Sequence, residues 1–169
     1  MKSTPKGVEL VVRAAQFAAH KHSDQRRKDA KASPYINHPL KLAEILVTTG
    51  GVKDAVTLAA ALLHDTIEDT QTDAEELRGK FGDAVASVVE EVTDVKWLQK
   101  GSRKRLQVMR AGRSSKRAKL VKLADKICNL RDMADHPPAK WDLARRREYF
   151  AWAKAVIDRL RGVHPQLEA

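Results

Sequence analysis

The sequence has only one cysteine, Cys128, and no long hydrophobic run. A single cysteine excludes an internal disulfide and any zinc site built from several thiolates. The longest largely apolar stretch, residues 56–63, is far shorter than the ~18 residues that a membrane span needs. Glu9 and Arg13 interrupt the apolar segment near the N-terminus that could have served as a signal peptide. These absences predict a soluble, cytoplasmic protein with no membrane partner.

Acidic residues are missing from one part of the chain, residues 96–122, which carries eleven of the 32 lysines and arginines. The formal net charge is +10, whereas the residues outside this basic segment carry 21 basic and 22 acidic groups. The whole surplus of positive charge therefore lies in the basic segment. Such a segment is typical either of a solvated basic face or of a polyanionic partner, which could be nucleic acid, an anionic lipid surface or a phosphorylated small molecule.

Strand patterns are missing as well, whereas apolar residues three and four positions apart recur along the chain. The helical patterns cover residues 8–19, 39–49, 55–65, 85–92, 103–110, 116–133 and 143–160, with polar loops at 23–34 and 96–102. Thr72 and Glu75 match a capping box at the start of a further short helix, which ends between Gly79 and Gly82. With 43% hydrophobic residues, the chain can bury a core, and we expect one all-α domain over residues 1–169, a compact helical bundle.

Four polar residues occupy the end of the most apolar predicted helix: His64, Asp65, Glu68 and Asp69. His64 and Glu68 are four residues apart, as are Asp65 and Asp69, so each pair lies on adjacent helical turns. Unpaired charges at the end of a buried helix are costly, and a metal ion would satisfy several of these groups at once. The alternative is a helix C-terminus with its acids in water, although acidic side chains there oppose the helix dipole.

Two further residues could complete a metal site. Asp125 shares a predicted helix face with Lys122 and Asn129, so it could supply another carboxylate or form an ion pair with Lys122. His38 lies at a predicted helix start, whereas the other four histidines have no comparable setting and receive no role. Two imidazoles and two carboxylates without a thiolate suit a borderline-to-hard ion such as Mn²⁺, with Zn²⁺ and Fe²⁺ as alternatives.

A divalent ion at such a site would make a bound water easier to deprotonate and would polarise a phosphoryl oxygen. Glu68 or Asp69 could then orient or deprotonate that water. The residues alone therefore point to metal-assisted hydrolysis.

Longer motifs surround these residues, and they are RRK at 26–28, PYINHP at 34–39, ALLHDTIEDT at 61–70, EVTD at 91–94 and KLVKLADKICNLR at 119–131. With the H…HD…D pattern formed by His38, His64, Asp65 and Asp125, they resemble the HD-domain phosphohydrolases. The likeness is to the hydrolase domain of the RelA/SpoT alarmone enzymes, and in particular to the small stand-alone metazoan SpoT homologs. It extends over about residues 14–160.

This resemblance implies a Mn²⁺-dependent 3′-pyrophosphohydrolase that converts ppGpp or pppGpp to GDP or GTP and pyrophosphate. It implies metal ligation by His38, His64, Asp65 and Asp125, and a catalytic acidic pair of Glu68 and Asp69. The nucleotide-contacting positions of the family fall on Arg27, Lys28, Tyr35, Lys100, Asn129 and Tyr149. A chain of 169 residues has no room for the synthetase domain of bifunctional relatives, so we expect it to degrade the alarmone and not to make it.

Two departures and two rival functions accompany this interpretation. Cys128 stands where relatives often have a larger His or Tyr, and residues 31–33 depart from a glycine-containing loop, so both bear on nucleotide preference. An NADPH 2′-phosphatase, or another nucleotide phosphohydrolase, would use the same metal site. A non-catalytic nucleic-acid-binding protein would instead use the basic segment, but it has no need of the HD…ED constellation. We therefore expect a guanine nucleotide as partner and no nucleic acid, and the sequence assigns no oligomeric state.

Overall fold

A computed structural model describes residues 6–169, and within them the regular structure is helical. The helices are α1 (Gly7–Lys21), α2 (Asn37–Thr48), α3 (Ala55–Leu63), α4 (Thr66–Asp69), α5 (Ala74–Phe81), α6 (Asp83–Val92), α7 (Lys100–Ala111), α8 (Lys116–Asp135), α9 (Leu143–Leu160) and α10 (Pro165–Glu168). Extended pairing in residues 6–169 is confined to one isolated bridge between Arg26 and Pro34. The predicted all-α fold is confirmed. No helix in this part of the chain combines the length and apolar composition needed to span a bilayer.

Helix α3 is the centre of the core and packs against α1, α2, α6 and α8. Seven of its nine residues are buried, because its small alanines let the neighbouring helices approach and its leucines fill the space between them. Asp54 caps the helix start by accepting a hydrogen bond from the Thr57 N–H at 3.2 Å. These four helices pack around α3, and the functional residues lie at its C-terminal end.

The predicted helix 55–65 is wrong at its C-terminus, since α3 ends at Leu63. The Thr66 hydroxyl donates a hydrogen bond to the Leu63 carbonyl oxygen at 2.7 Å, and the chain turns there before the short helix α4 begins. His64 and Asp65 therefore lie at a bend between two helices and not along one continuous helix. The bend brings both side chains toward α2 and α8.

The capping box predicted at Thr72 and Glu75 is also wrong, by one residue. Asp73 is the N-cap of α5, and its Oδ1 accepts a hydrogen bond from the Glu76 N–H at 2.7 Å. The Thr72 hydroxyl is buried and bonds to the Thr70 hydroxyl at 2.8 Å, so it is not available to the helix. The helix ends before Gly82, where φ is +89°, as the glycine spacing predicts.

We expect Asp73→Ala to lower the free energy of unfolding by about 1 kcal/mol, the usual cost of losing an N-cap, and Tm by about 2–4 °C. Glu75→Ala is the matched control, because Glu75 is largely exposed and bonds only to Arg78 across one turn. It should change stability by less than about 0.5 kcal/mol. Thermal unfolding followed by circular dichroism measures both. Equal losses of stability in the two variants would instead support the capping box predicted at Thr72 and Glu75.

Helices α7 and α9 pack together beside α8, and their contact forms one wall of a cleft. The Trp152 indole N–H of α9 donates to the Lys104 carbonyl oxygen of α7 at 3.1 Å, which fixes the two helices to each other. Helix α7 begins at Lys100, so the predicted loop 96–102 is too long by three residues. The basic segment therefore spans the loop before α7, α7 itself and the first two turns of α8.

Candidate active site

Four predicted ligands from three parts of the fold meet at one point. His38 is the second residue of α2, His64 and Asp65 directly follow α3, and Asp125 lies in α8. One ligand atom each from His38, His64 and Asp65 lies within 4.8 Å of the others. Asp125 closes the group, since its Oδ1 is 3.1 Å from His38 Nε2 and 3.8 Å from His64 Nε2. The fold therefore gathers two imidazoles and two carboxylates in positions that could hold one divalent ion.

The orientation of His64 shows that a cation fits this group. His64 Nδ1 lies 2.8 Å from the carbonyl oxygen of Ala61, and because a carbonyl only accepts, Nδ1 must donate. Nε2 of the neutral ring then presents a lone pair. Nε2 lies 2.8 Å from Asp65 Oδ2, yet it is buried and has no hydrogen-bond partner among residues 6–169. A nitrogen lone pair this close to a carboxylate is unfavourable unless His64 carries a proton or a metal ion lies between the two groups.

The electrostatics of these four residues also favour a cation at this point. Burial lowers the pKa of His64, but Asp65 and Asp125 outweigh burial and raise it to about 9. Burial raises the pKa of Asp65, but His64 and His38 outweigh burial and lower it to about 2. The two carboxylates thus favour a cation beside His64. In the metal-free protein a proton on His64 meets that demand, and a metal ion has to displace the proton.

Lys126 and Asn129 fix the Asp125 carboxylate. Lys126 Nζ donates to Asp125 Oδ2 at 3.0 Å, and Asn129 Nδ2 donates to Oδ1 at 2.8 Å. Burial raises the pKa of Asp125, but Lys126 outweighs burial and holds it well below its usual range. Within residues 6–169 the lysine that pairs with Asp125 is Lys126 and not Lys122, which the spacing had suggested. Lys126 Nζ also lies 4.5 Å from the centre of the Trp152 ring, a contact with α9 that the spacing along α8 does not reveal.

Tyr35 and His22 support Asp65 from the other side. The Tyr35 hydroxyl donates a hydrogen bond to Asp65 Oδ2, and burial, followed by Asp65, raises the pKa of Tyr35 far above its usual value, so it stays a donor. His22 stacks on the Tyr35 ring with 4.8 Å between centroids. Its Nδ1 lies 2.7 Å from Gln25 Oε1, and Gln25 Nε2 donates to the Asp69 carbonyl oxygen at 2.6 Å. His22 had received no role. The signal that could have found it is its spacing of four residues from Ala18, which continues the apolar stripe of α1 just beyond the end of that helix.

Glu68 and Asp69 are adjacent in α4 but face different parts of the cleft. Glu68 Oε2 accepts a hydrogen bond from the Asp94 N–H at 3.2 Å, and burial, followed by the Asp94 charge, raises the pKa of Glu68 to about 7. Burial and Asp65 raise the pKa of Asp69, against the opposing charge of Lys96, whose Nζ is 3.6 Å from Asp69 Oδ1. Glu68 is therefore poised to exchange a proton near neutral pH.

The cleft around these residues has two chambers. The inner chamber has a volume of about 220 Å³, and besides the four ligands its lining includes Glu68, Asp94, Lys122 and Trp152. The outer chamber has a volume of about 450 Å³, and its lining includes Lys28, Asp69, Asp132 and Trp141. The residues common to both linings are Arg27, Tyr35, His38, Asn129 and Tyr149. The two chambers are thus parts of one continuous cleft.

Five of the six predicted nucleotide contacts line this cleft. Arg27, Tyr35, Asn129 and Tyr149 lie where the chambers meet, and Lys28 lines the outer one. Lys100 is the exposed first residue of α7 and is not among the residues that line either chamber, so its contact with a nucleotide stays a prediction.

The basic segment reaches the cleft at Lys96, whose Nζ lies 3.6 Å from Asp69 Oδ1, and at Lys122. Lys122 lines the inner chamber, whereas Lys104 pairs with Glu148 and Arg117 with Asp54 on the outer surface.

Three aromatic side chains form one wall of the cleft: Tyr149, which was a predicted nucleotide contact, and Trp141 and Trp152, which the sequence had not indicated. The Tyr149 ring lies between Trp141 and Trp152, with centroid distances of 5.7 and 5.4 Å. Burial raises the pKa of Tyr149 to about 12, so its hydroxyl remains protonated. Tyr149 and Trp152 are three residues apart in α9, a spacing that places them on one helix face and could have revealed the wall. The wall offers flat apolar surfaces next to cations, a setting suited to a nucleoside.

Several known proteins resemble this chain over most of its length. The HD domain family matches residues 14–153. The chain is 54% identical over 159 residues to the guanosine-3′,5′-bis(diphosphate) 3′-pyrophosphohydrolase MESH1 of Xenopus tropicalis, covering 94% of this chain and 89% of the relative. It is 54% identical over 158 residues to MESH1 of Homo sapiens, covering 94% and 88%. A solved structure of a metazoan ortholog of SpoT, described as hydrolysing ppGpp, superposes with a TM-score of 0.93 at 46% identity, covering 98% of this chain and 92% of that one. The chain therefore belongs to the HD-domain family, within the group of MESH1 guanosine-3′,5′-bis(diphosphate) 3′-pyrophosphohydrolases.

Proposed function

We propose that this protein hydrolyses the 3′-diphosphate of ppGpp and pppGpp, releasing pyrophosphate and GDP or GTP. One observation carries the proposal: two imidazoles and two carboxylates that could hold a divalent ion lie in a cleft with Glu68 beside them. The activity named for the MESH1 relatives, which are 54% identical, supports the choice of substrate. We further propose that residues 1–169 form one HD-type domain, of which the first five lie outside the described residues.

His38, His64, Asp65 and Asp125 would hold a single divalent ion, and the absence of a thiolate favours Mn²⁺ over softer ions. When bound, the ion lowers the pKa of a coordinated water and polarises a phosphoryl oxygen. The Asn129 and Lys126 contacts to Asp125, and the Ala61 contact to His64, keep the donor atoms directed at one point. Such outer contacts typically change metal affinity 10–100-fold when they are lost.

Glu68 acts on the proton of the attacking water in this proposal. Its pKa of about 7 lets the carboxylate accept a proton near neutral pH, while the Asp94 N–H holds one of its oxygens in place. The water oxygen bonds to the phosphorus attached to the ribose 3′ oxygen, the phosphorus–O3′ bond breaks, and the ribose oxygen takes up a proton. Asp69 lines the outer chamber, and in this proposal it orients the nucleotide on the ribose side of the phosphorus–O3′ bond.

The cations and aromatic residues of the cleft bind the nucleotide. Arg27 lies at the junction of the chambers, where a phosphate chain would pass, and Lys28 lies farther out. Their positive charge also offsets the charge that develops on the phosphoryl oxygens. Tyr35 and Tyr149 supply flat walls for the nucleoside, and the larger outer chamber has room for it.

Purified protein supplied with Mn²⁺ should convert ppGpp to GDP and pyrophosphate, and a chelator should abolish the reaction. Product identification by anion-exchange chromatography checks this, with NADPH and dGTP tested under the same metal. Release of orthophosphate alone, or faster turnover of NADPH, would contradict the proposal and favour a phosphatase. Binding to duplex DNA that is tight and unaffected by loss of His64 would favour the nucleic-acid alternative.

A further inference from the structure

Two lysines of α8 are buried next to the inner chamber, and their surroundings differ. Lys126 is 5% exposed, donates to Asp125 at 3.0 Å and lies over the Trp152 ring. Lys122, one turn earlier, is 9% exposed and lines the inner chamber. In the part of the chain that the structure describes, Lys122 has no hydrogen-bond acceptor and no carboxylate within 4.0 Å. Lys126 therefore forms an ion pair with the proposed metal ligand Asp125, whereas Lys122 forms no ion pair within residues 6–169.

The stem of Lys122 is buried, whereas its ammonium group opens onto the inner chamber and is not among the fully buried polar atoms of residues 6–169. Burial and the neighbouring Lys126 lower the pKa of Lys122, and the charges of Asp94, Asp125 and Glu68 act in the opposite direction from beyond contact distance. An anion that enters the chamber would therefore meet a cation that no carboxylate of residues 6–169 contacts.

The other cations of the inner chamber are already paired. Arg27 donates to Asp132 Oδ2 at 2.7 Å, and Lys126 is held by Asp125. The inner chamber, with a volume of about 220 Å³, is smaller than the outer one of about 450 Å³ and has room for phosphate groups. A lysine ammonium, a compact charge with three donors, suits a phosphate that can take several orientations.

We propose that Lys122 binds the distal phosphate of the 3′-diphosphate and holds the pyrophosphate product, an inference that rests on the proposed function. Lys122 thereby distinguishes a 3′-diphosphate from a 3′-monophosphate. The ion that the four ligands would hold would polarise an oxygen of the reacting phosphate, and Lys122 binds the phosphate beyond it.

Inhibition of the Mn²⁺-loaded enzyme by inorganic pyrophosphate tests this assignment. Lys122→Met should raise the inhibition constant of pyrophosphate about 10–100-fold, the effect of losing one charge-assisted hydrogen bond. Guanosine 5′-diphosphate 3′-monophosphate, which lacks the distal phosphate, should inhibit wild type and variant equally within about twofold. Lys122→Arg should retain most of the affinity for pyrophosphate. Lys116→Met, at the exposed first turn of the same helix, is the matched control and should change neither constant.

Two further readouts separate this role from a structural one. Bound Mn²⁺, measured by elemental analysis, should remain the same in Lys122→Met and wild type, and Tm should change little, because methionine keeps the buried stem and the ammonium group has no ion-pair partner within residues 6–169 to lose. If the methionine variant does not fold, Lys122→Gln carries the same expectations. Unchanged pyrophosphate inhibition in a folded variant, or an equal loss for the 3′-monophosphate, would overturn the assignment. Failure of wild type to release pyrophosphate from ppGpp would instead overturn the proposed function.

Discussion

Asp65→Ala should reduce Mn²⁺-supported hydrolysis of ppGpp by about a thousandfold or more, equivalent to about 4 kcal/mol of lost transition-state stabilisation. The substitution removes one of four donor groups and also the carboxylate that faces His64 Nε2 at 2.8 Å. It leaves the Tyr35 hydroxyl without its acceptor, so one wall of the site loses its anchor. Bound Mn²⁺, measured by elemental analysis after gel filtration, should fall together with the rate.

Asp158→Ala is the matched control for this experiment. Asp158 is an aspartate on α9 that pairs with Lys154 and Arg161 on the surface, far in sequence from any proposed ligand. It should keep full metal content and activity, because exposed ion pairs contribute little. If Asp65→Ala kept full metal-dependent activity, Asp65 would not be a ligand and the HD assignment would fail.

The helical periodicity predicted the long elements well because it reflects one-sided burial of each helix. The pattern at 143–160 coincides with α9, and that at 116–133 covers most of α8. The ends of the short elements were predicted less well, since they depend on single hydrogen bonds. The Thr66 hydroxyl bonds to the Leu63 carbonyl oxygen where α3 ends. The Thr72 hydroxyl bonds to that of Thr70, so Asp73 caps α5 instead. Such choices between neighbouring polar groups are not encoded in hydrophobic spacing.

In the candidate site, the residue types were predictable from the sequence, whereas contacts between different helices were not. The residue types and the family motifs predicted which four side chains would approach one another, and the structure brings them together. The ion-pair partner of Asp125 was not predictable from α8 alone, since Lys126 also contacts the ring of Trp152, which lies on α9. The separation of Glu68 and Asp69 into two chambers was not predicted either. Helical geometry turns successive side chains by ~100°, but the chambers that they enter are formed by other parts of the chain.

Glu68→Gln should lower kcat about 10²–10⁴-fold, the usual contribution of a general base, while leaving bound Mn²⁺ unchanged. Glutamine has the same shape and can still accept the hydrogen bond from the Asp94 N–H, which glutamate accepts at 3.2 Å. It cannot take a proton from water. A rate profile against pH should therefore lose the dependence that Glu68 supplies in wild type. Loss of metal together with rate would contradict this role and make Glu68 a ligand.

The same substitution should stabilise the metal-free protein at alkaline pH. Burial, followed by Asp94, raises the pKa of Glu68 from 4.5 to about 7, so the folded protein binds this proton more tightly than the unfolded chain. The stability that the protonated form contributes is fully present below pH 4.5 and is lost as the pH rises through about 7. Glutamine remains neutral throughout, so wild type and variant should have similar Tm near pH 4.5.

At pH 8, Glu68→Gln should have the higher Tm by about 2–4 °C, corresponding to about 1 kcal/mol after screening by the water that reaches this half-buried side chain. Thermal unfolding in the presence of a chelator, at several pH values, measures the difference. Glu75→Gln, at an exposed site, should show no such pH-dependent difference. A variant that loses activity and gains stability would identify Glu68 as a carboxylate kept in an unfavourable environment for the sake of catalysis. If the Tm difference did not grow with pH, Glu68 would have an ordinary pKa in the folded protein, and its role as a base near neutral pH would lose its physical basis.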